Sequence, residues 1–183
     1  DRVYLMFHKP SSVLTSTSDP EGRPVVMDYF RRFKRKRLFP VGRLDWDTEG
    51  LLLVTDDGDF SHEVIHPRSE ITKTYMAKID GQVTNEKLRK LTRGVSIVGG
   101  KVKAVHVERL RRGSDKYDWV KIVVTEGKNR MIRRMFEKIG YDVKKLQRVA
   151  IGRLRLGKLR KGEYQALTLS QVKKIFQTPE GKE

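Results

Sequence analysis

Short apolar blocks separated by charged turns run along this chain, and their spacing predicts a mixture of strands and short helices. Val3–Phe7 is a strand ended by His8, Lys9 and Pro10. Leu51–Val54 is a buried strand, with Asp56, Asp57 and Gly58 as a hairpin turn behind it. Tyr75, Ala77 and Ile79 alternate with Thr74, Met76 and Lys78, the period of two that sends neighbours to opposite faces of a strand. Trp119–Thr125 is another strand. Ile151–Leu159 alternates too, with basic residues among its polar positions.

Elsewhere the apolar spacing is helical. Val26, Tyr29, Phe30 and Phe33 predict a short helix running into Arg31–Arg37. Thr84 caps a helix carrying Leu88 and Leu91. Ile132, Met135, Phe136 and Ile139 form the stripe of a third, ended by Gly140. On that helix Arg130 and Arg134 are one turn apart, with Arg133 between them on the polar side. Thr168 and Gln171 form a capping box that opens a last helix with Val172, Ile175 and Phe176 inside. Gly94 to Asp118 reads as strands and turns with Arg109, Arg111 and Arg112 exposed, and Thr178–Glu183 as a frayed end.

At 183 residues the chain suits one domain with two lobes and can bury a sizeable core. No stretch approaches the ~18–20 apolar residues of a membrane span. No signal peptide is visible, although the chain starts at Asp1. Zero Cys removes disulfides and thiolate chemistry, with the cytoplasm as the default compartment. Charge changes the picture most. Forty Lys and Arg give a formal net charge of +17 and a pI of about 10.2, which favours nucleic acid over an anionic membrane surface. Arg31–Arg37 holds six basic residues in seven, a patch suited to tracking phosphates.

Against that background, six of the 23 acidic residues fall between Asp45 and Asp59. A calcium loop from Asp45 to Asp56 fails: a Glu sits at its fifth position, its twelfth lacks the long bidentate Glu, and its body is a leucine strand. His62-Glu63-Val64-Ile65-His66 matches a zinc-peptidase string. Pro67 comes at once, however, and neither His8 nor His106 offers a recognisable third ligand.

The segment Gly42–Gly58 reads G-R-L-D-W-D-T-E-G-L-L-L-V-T-D-D-G and resembles the signature of the RsuA/RluB type of ribosomal RNA pseudouridine synthase. The likeness continues in S-D-P-E-G-R-P (Ser18–Pro24), H-P-R-S-E (His66–Glu70), K-T-Y (Lys73–Tyr75) and T-E-G-K-N-R-x-x-R-R (Thr125–Arg134), and is nearer the large-subunit branch. It implies an α+β catalytic fold, a mixed or antiparallel sheet with flanking helices and a basic central cleft. It implies Asp45 as the catalytic carboxylate, Tyr75 stacking on the flipped uracil and assisting proton removal at C5, and Arg133 paired with Asp45 to keep it ionised. Lys9, Arg43, Lys73, Asn129, Arg130, Arg134 and Arg148 are the expected RNA or substrate contacts. The expected partner is ribosomal RNA, with the chain acting as a monomer in the bacterial cytoplasm, without membrane, metal or cofactor. Relatives often carry a small S4-type RNA-binding domain ahead of this region, and this chain begins where that domain would end.

Residue types alone leave alternatives open. Tyr75 also suits a core position with its hydroxyl satisfied nearby, and Arg133 a solvated pair with Glu137. The reaction needs an ionised carboxylate near the ribose and a pocket for an unstacked base; whether the carboxylate attacks sugar or base first stays open. A non-catalytic RNA-binding or assembly factor would explain the charge but not the acidic cluster within it.

Overall fold

The computed structural model describes residues 1–112 and 114–179, without the side chains of Arg111 and Arg112. The expected exposure of those two arginines, and the last four residues of the expected frayed end, lie outside the described residues. In chain order the elements begin with β1 (Tyr4–Lys9), β2 (Phe39–Pro40), β3 (Thr48–Thr55), α1 (Gly58–Ile65), β4 (Lys73–Asp80) and α2 (Asn85–Arg93). They continue with β5 (Val95–Ile97), β6 (Gly100–Val102), β7 (His106–Arg112), β8 (Tyr117–Val124) and α3 (Met131–Lys138). The last are β9 (Val143–Ile151), β10 (Leu154–Arg155), β11 (Tyr164–Ala166) and α4 (Leu169–Lys174). Two compact units form: Asp1–Ile71 with Arg148–Glu183, and Thr72–Gln147.

In the first unit β1 lies between β11 and β3, antiparallel to both, with Leu5 opposite Val54, Met6 opposite Leu53 and Phe7 opposite Leu52. Alternate residues face opposite sides of a strand, so two cores grow from one sheet. Met6, Leu51 and Leu53 pack with Phe60 and Val64 of α1, Ile151 and Ile175. Leu5, Phe7, Leu52 and Val54 pack with Val26, Phe30 and Leu38. Both faces of β3 are covered, which is why its sequence is a continuous apolar run rather than an alternation.

Several expectations change here. Asp56, Asp57 and Gly58 do not make a hairpin turn; Asp57 caps α1, its Oδ1 accepting from the Phe60 amide at 3.1 Å. Asp and Gly serve a turn and a helix start alike, and the Phe60 and Val64 spacing decides for the helix. Strand β1 does not stop at Phe7 but carries His8 and Lys9, paired with Leu51 and Gly50. The early helix is a five-residue 3-10 turn, Val26–Phe30, and the basic run beyond it forms successive turns. The capping box of Thr168 and Gln171 is present at α4. Ile175 is fully buried, whereas Phe176 stays partly exposed with its ring edge-on to Phe60.

In the second unit the strands run β9-β4-β8-β7, with Tyr75 opposite Ile122 and Ala77 opposite Val120. Ala77, Ile79, Val120 and Ile122 pack against Leu88 and Leu91 of α2 and Ile132, Met135 and Phe136 of α3. The Thr84 hydroxyl caps α2 by accepting from the Lys87 amide at 3.2 Å. A mixed sheet with four α-helices among the described residues gives the α+β class expected from the chain.

Candidate active site

Asp45 comes directly after a residue whose main chain is held on both sides. The Thr15 hydroxyl donates to the Leu44 carbonyl at 2.7 Å and accepts from the Leu44 amide at 3.1 Å, and both side chains are buried. The Asp45 carbonyl accepts from the Thr48 amide at 3.0 Å, closing a tight turn over Trp46 and Asp47. At the tip, the Trp46 carbonyl accepts from the Ser12 amide at 2.8 Å and from Lys9 Nζ at 3.4 Å. Three consecutive residues are thus anchored through their backbones. The half-buried Asp45 side chain is presented by a stiff loop, with Arg43 exposed just before it.

Lys9 has no accessible surface. Its ammonium donates to the Pro10 carbonyl at 2.7 Å as well as to Trp46. Burial pushes its pKa down to about 8, against the pull of the Glu49, Asp47 and Asp45 carboxylates. Expected to touch RNA, this lysine instead lies beneath the Asp45 loop, because its strand continues two residues further than its apolar pattern. Glu49, nearly buried, pairs with Lys161 at 3.0 Å. Next along β3, Gly50 has φ of +115°, and a Cβ there would lie 2.2 Å from the Arg148 carbonyl. Only glycine admits that approach. Arg148 is buried, its Nε donating to the Leu51 carbonyl at 2.8 Å; its Nη2 has no hydrogen-bond partner among the described residues.

In the second unit Tyr75 is half-buried on β4, its ring against the core. Lys73 Nζ donates to the Thr125 carbonyl at 3.1 Å. Arg133 departs from its expected place on the polar side of α3: it is buried and donates from Nη1 to the Val143 carbonyl at 3.0 Å. A buried guanidinium needs such an acceptor to offset its lost hydration. Asn129 and Arg130 are exposed, Arg130 in the left-handed region at φ of +49° where α3 begins, and Arg134 is half-buried. Asp45 with its supporting groups therefore belongs to the first unit, and Tyr75 and Arg133 to the second.

His62 and Glu63 do lie on a helix, α1, with His66 as its C-cap and the two imidazoles 5.4 Å apart between centroids. The His66 Nδ1 accepts from the Arg68 amide. Among the described residues no group of three or more His, Cys, Asp or Glu could hold a metal ion. No described helix is long and apolar enough to cross a membrane.

An anchored carboxylate, a half-buried tyrosine and a buried arginine in a chain this basic fit an enzyme that acts on RNA. The profile of the RNA pseudouridylate synthase family matches residues 3–138. The chain belongs to that family. It is 41% identical over 174 residues to ribosomal large subunit pseudouridine synthase B of Bacillus subtilis strain 168, covering 94% of this chain and 71% of the relative. Against the protein of the same name from Escherichia coli K12 it is 38% identical over 169 residues, covering 92% of this chain and 58% of the other. A solved pseudouridylate synthase superposes with a TM-score of 0.84 at 31% identity, covering 96% of this chain and 74% of that one.

Sequence reasoning missed Thr15, Trp46 and the Glu49–Lys161 pair. Thr15 sits in a polar loop and gave no signal, since its partner is the backbone of a residue 29 positions away. Trp46 was legible as a large aromatic in an otherwise polar turn.

Proposed function

We propose that this chain converts a specific uridine of large-subunit ribosomal RNA to pseudouridine, acting as a monomer in the cytoplasm. The N-glycosidic bond breaks, the base turns over, and a carbon–carbon bond forms from C5 to the ribose. C5 gives up a proton and N1 gains one, so atoms and electrons balance within the nucleotide. Asp45 meets the reacting nucleotide as an ionised carboxylate. Tyr75 offers a ring face to the unstacked uracil and an oxygen near C5. Arg133 supplies a cation that cannot lose its proton. Arg43, Lys73, Asn129, Arg130 and Arg134 hold the RNA, and Arg148, also expected as a contact, supports the start of β3 from the protein interior.

The observation that carries this reading is the anchoring of Leu44, Asp45 and Trp46 through their main chains. A loop free to move would lose the positioning on which such chemistry depends. The large-subunit substrate is supported by the names of the relatives. The test is pseudouridine formation in unmodified ribosomal RNA, wild type beside Asp45→Asn, in buffer containing chelator. Product at one position from wild type alone is expected. Equal product from both proteins would remove Asp45 from the reaction, and no product on any ribosomal RNA from wild type would overturn the activity.

A further inference from the structure

Trp46 is 38% exposed in a stretch where Leu44, Thr48 and Glu49 are all below 9%. It occupies the first inner position of the Asp45–Thr48 turn, a place that small polar residues or proline fill for conformational reasons. The turn does not need an indole there, because the backbone is already held by Ser12 and Lys9. Nor does the core, since Trp46 belongs to none of the three hydrophobic clusters. Among the described residues no aromatic ring or cation stacks on it. A large apolar ring is thus carried to the surface by an anchored backbone, next to Asp45, with more than a third of it exposed and, among the described residues, no ring or cation stacked on it.

Resting on the pseudouridine synthase reading, we infer that Trp46 is a positioning residue whose indole stacks on a nucleobase adjoining the target uridine. Turning a uridine out of its stack leaves the faces of its neighbours bare. An aromatic residue whose Cα follows that of the carboxylate by about 3.8 Å can cover one of them. The indole itself selects a base over a phosphate: a neutral π-face gives an anion no charge to pair with and gives a base a full stacking surface. The exposed cation Arg43 remains close in sequence to take the phosphate. Stacking of this kind tolerates any base, so Trp46 contributes affinity and register rather than sequence choice.

The test has two arms. On unmodified large-subunit ribosomal RNA, Trp46→Ala lowers kcat/KM by about 5- to 150-fold, the range that base–aromatic stacking covers, while Trp46→Phe retains most of the activity. Both variants stay folded at the assay temperature, because the backbone anchors do not involve the indole, and thermal melts check this. In the second arm, single-stranded RNA of mixed sequence is titrated into wild type and Trp46→Phe with tryptophan fluorescence as the readout. Quenching present in wild type and lost in Trp46→Phe is expected; Trp119 is common to both proteins. An unchanged kcat/KM in Trp46→Ala, an equal loss in Trp46→Phe, or quenching that persists without Trp46 overturns the assignment. If wild type modifies no ribosomal RNA, the activity reading fails by itself, and the fluorescence arm still decides whether Trp46 takes a base.

Discussion

The ammonium of Lys9 lies 3.4 Å from the carbonyl oxygen of Trp46, so a cation with no accessible surface supports the turn that presents Asp45. Lys9 and Gly50 are paired across β1 and β3, and Gly50 in turn approaches the backbone of Arg148. Two buried cations therefore flank a glycine at the start of β3, with Asp45, Asp47 and Glu49 as the acidic counterweight. The acidic cluster that stands out in a chain of charge +17 is in part the partner of a lysine the chain has buried.

That burial has a signature in pH. The pKa of Lys9 in the fold is about 8, below its ordinary 10.5, because burial outweighs the pull of the carboxylates. Between those values the unfolded chain keeps a proton that the folded protein gives up, so this group makes stability rise with pH across that window. Below about pH 8 its full cost is present. Urea melts at pH 7.5, 9 and 10, wild type beside Lys9→Met, check this: the wild-type values should gain on the variant as pH increases. Parallel curves would mean that Lys9 titrates as an ordinary exposed lysine.

Arg133→Gln tests the buried guanidinium in the second unit. Glutamine shortens the side chain and removes the charge, leaving the Val143 carbonyl without its donor. We expect a stability loss of about 1–3 kcal/mol, the usual cost of an unsatisfied buried polar group. We also expect kcat for pseudouridine formation to fall by about 100-fold or more, as when a stabilising donor is lost from an active site. Denaturant melts and single-turnover assays separate the two effects, and full activity in a destabilised variant would confine Arg133 to a structural role.

Residues that act through local pattern are legible in the sequence; those that act through distant backbone atoms are not. The alternation of Tyr75, Ala77 and Ile79 and the capping box of Thr168 and Gln171 arise from neighbours within one element. Arg133 misleads because an arginine between Arg130 and Arg134 reads as polar surface, while its acceptor is ten residues away on strand β9. Lys9 misleads because its strand runs two residues past the apolar pattern and pairs it with Gly50, which buries it. The Asp57 cap reads as a turn because the two motifs share residue types and differ only in the apolar spacing beyond them.

Gly50→Ala probes the closest approach in the first unit. The added Cβ would sit 2.2 Å from the Arg148 carbonyl and 2.7 Å from its amide nitrogen, at a φ of +115° that side chains rarely adopt. Neither backbone atom can move without displacing β3 or β9. A loss above about 4 kcal/mol is expected, among the largest single-residue effects, and the variant should melt far below wild type or fail to accumulate in soluble form. Gly58→Ala is the control: nothing lies within 4 Å of its Cβ and its φ is not positive, so a small change is expected there.

The last prediction concerns acid. Tyr4 donates from its hydroxyl to Asp57 Oδ2 at 2.5 Å, while Asp57 Oδ1 caps α1 through the Phe60 amide. The tyrosine hydrogen bond, and after it the amide, hold the Asp57 carboxyl below its ordinary 3.8; the Val3 amide and then Lys36 do the same for Asp56. A carboxylate with a lowered folded pKa stabilises the fold above its ordinary pKa and loses that contribution as pH falls through the folded value. Asp57→Ala should therefore cost about 1 kcal/mol at neutral pH, the usual loss of a helix cap. The gap from wild type should narrow once pH drops below 3.8. Chemical denaturation from pH 7 to pH 2 measures it, and a gap that stayed constant would show that the charge on Asp57 contributes nothing beyond its shape.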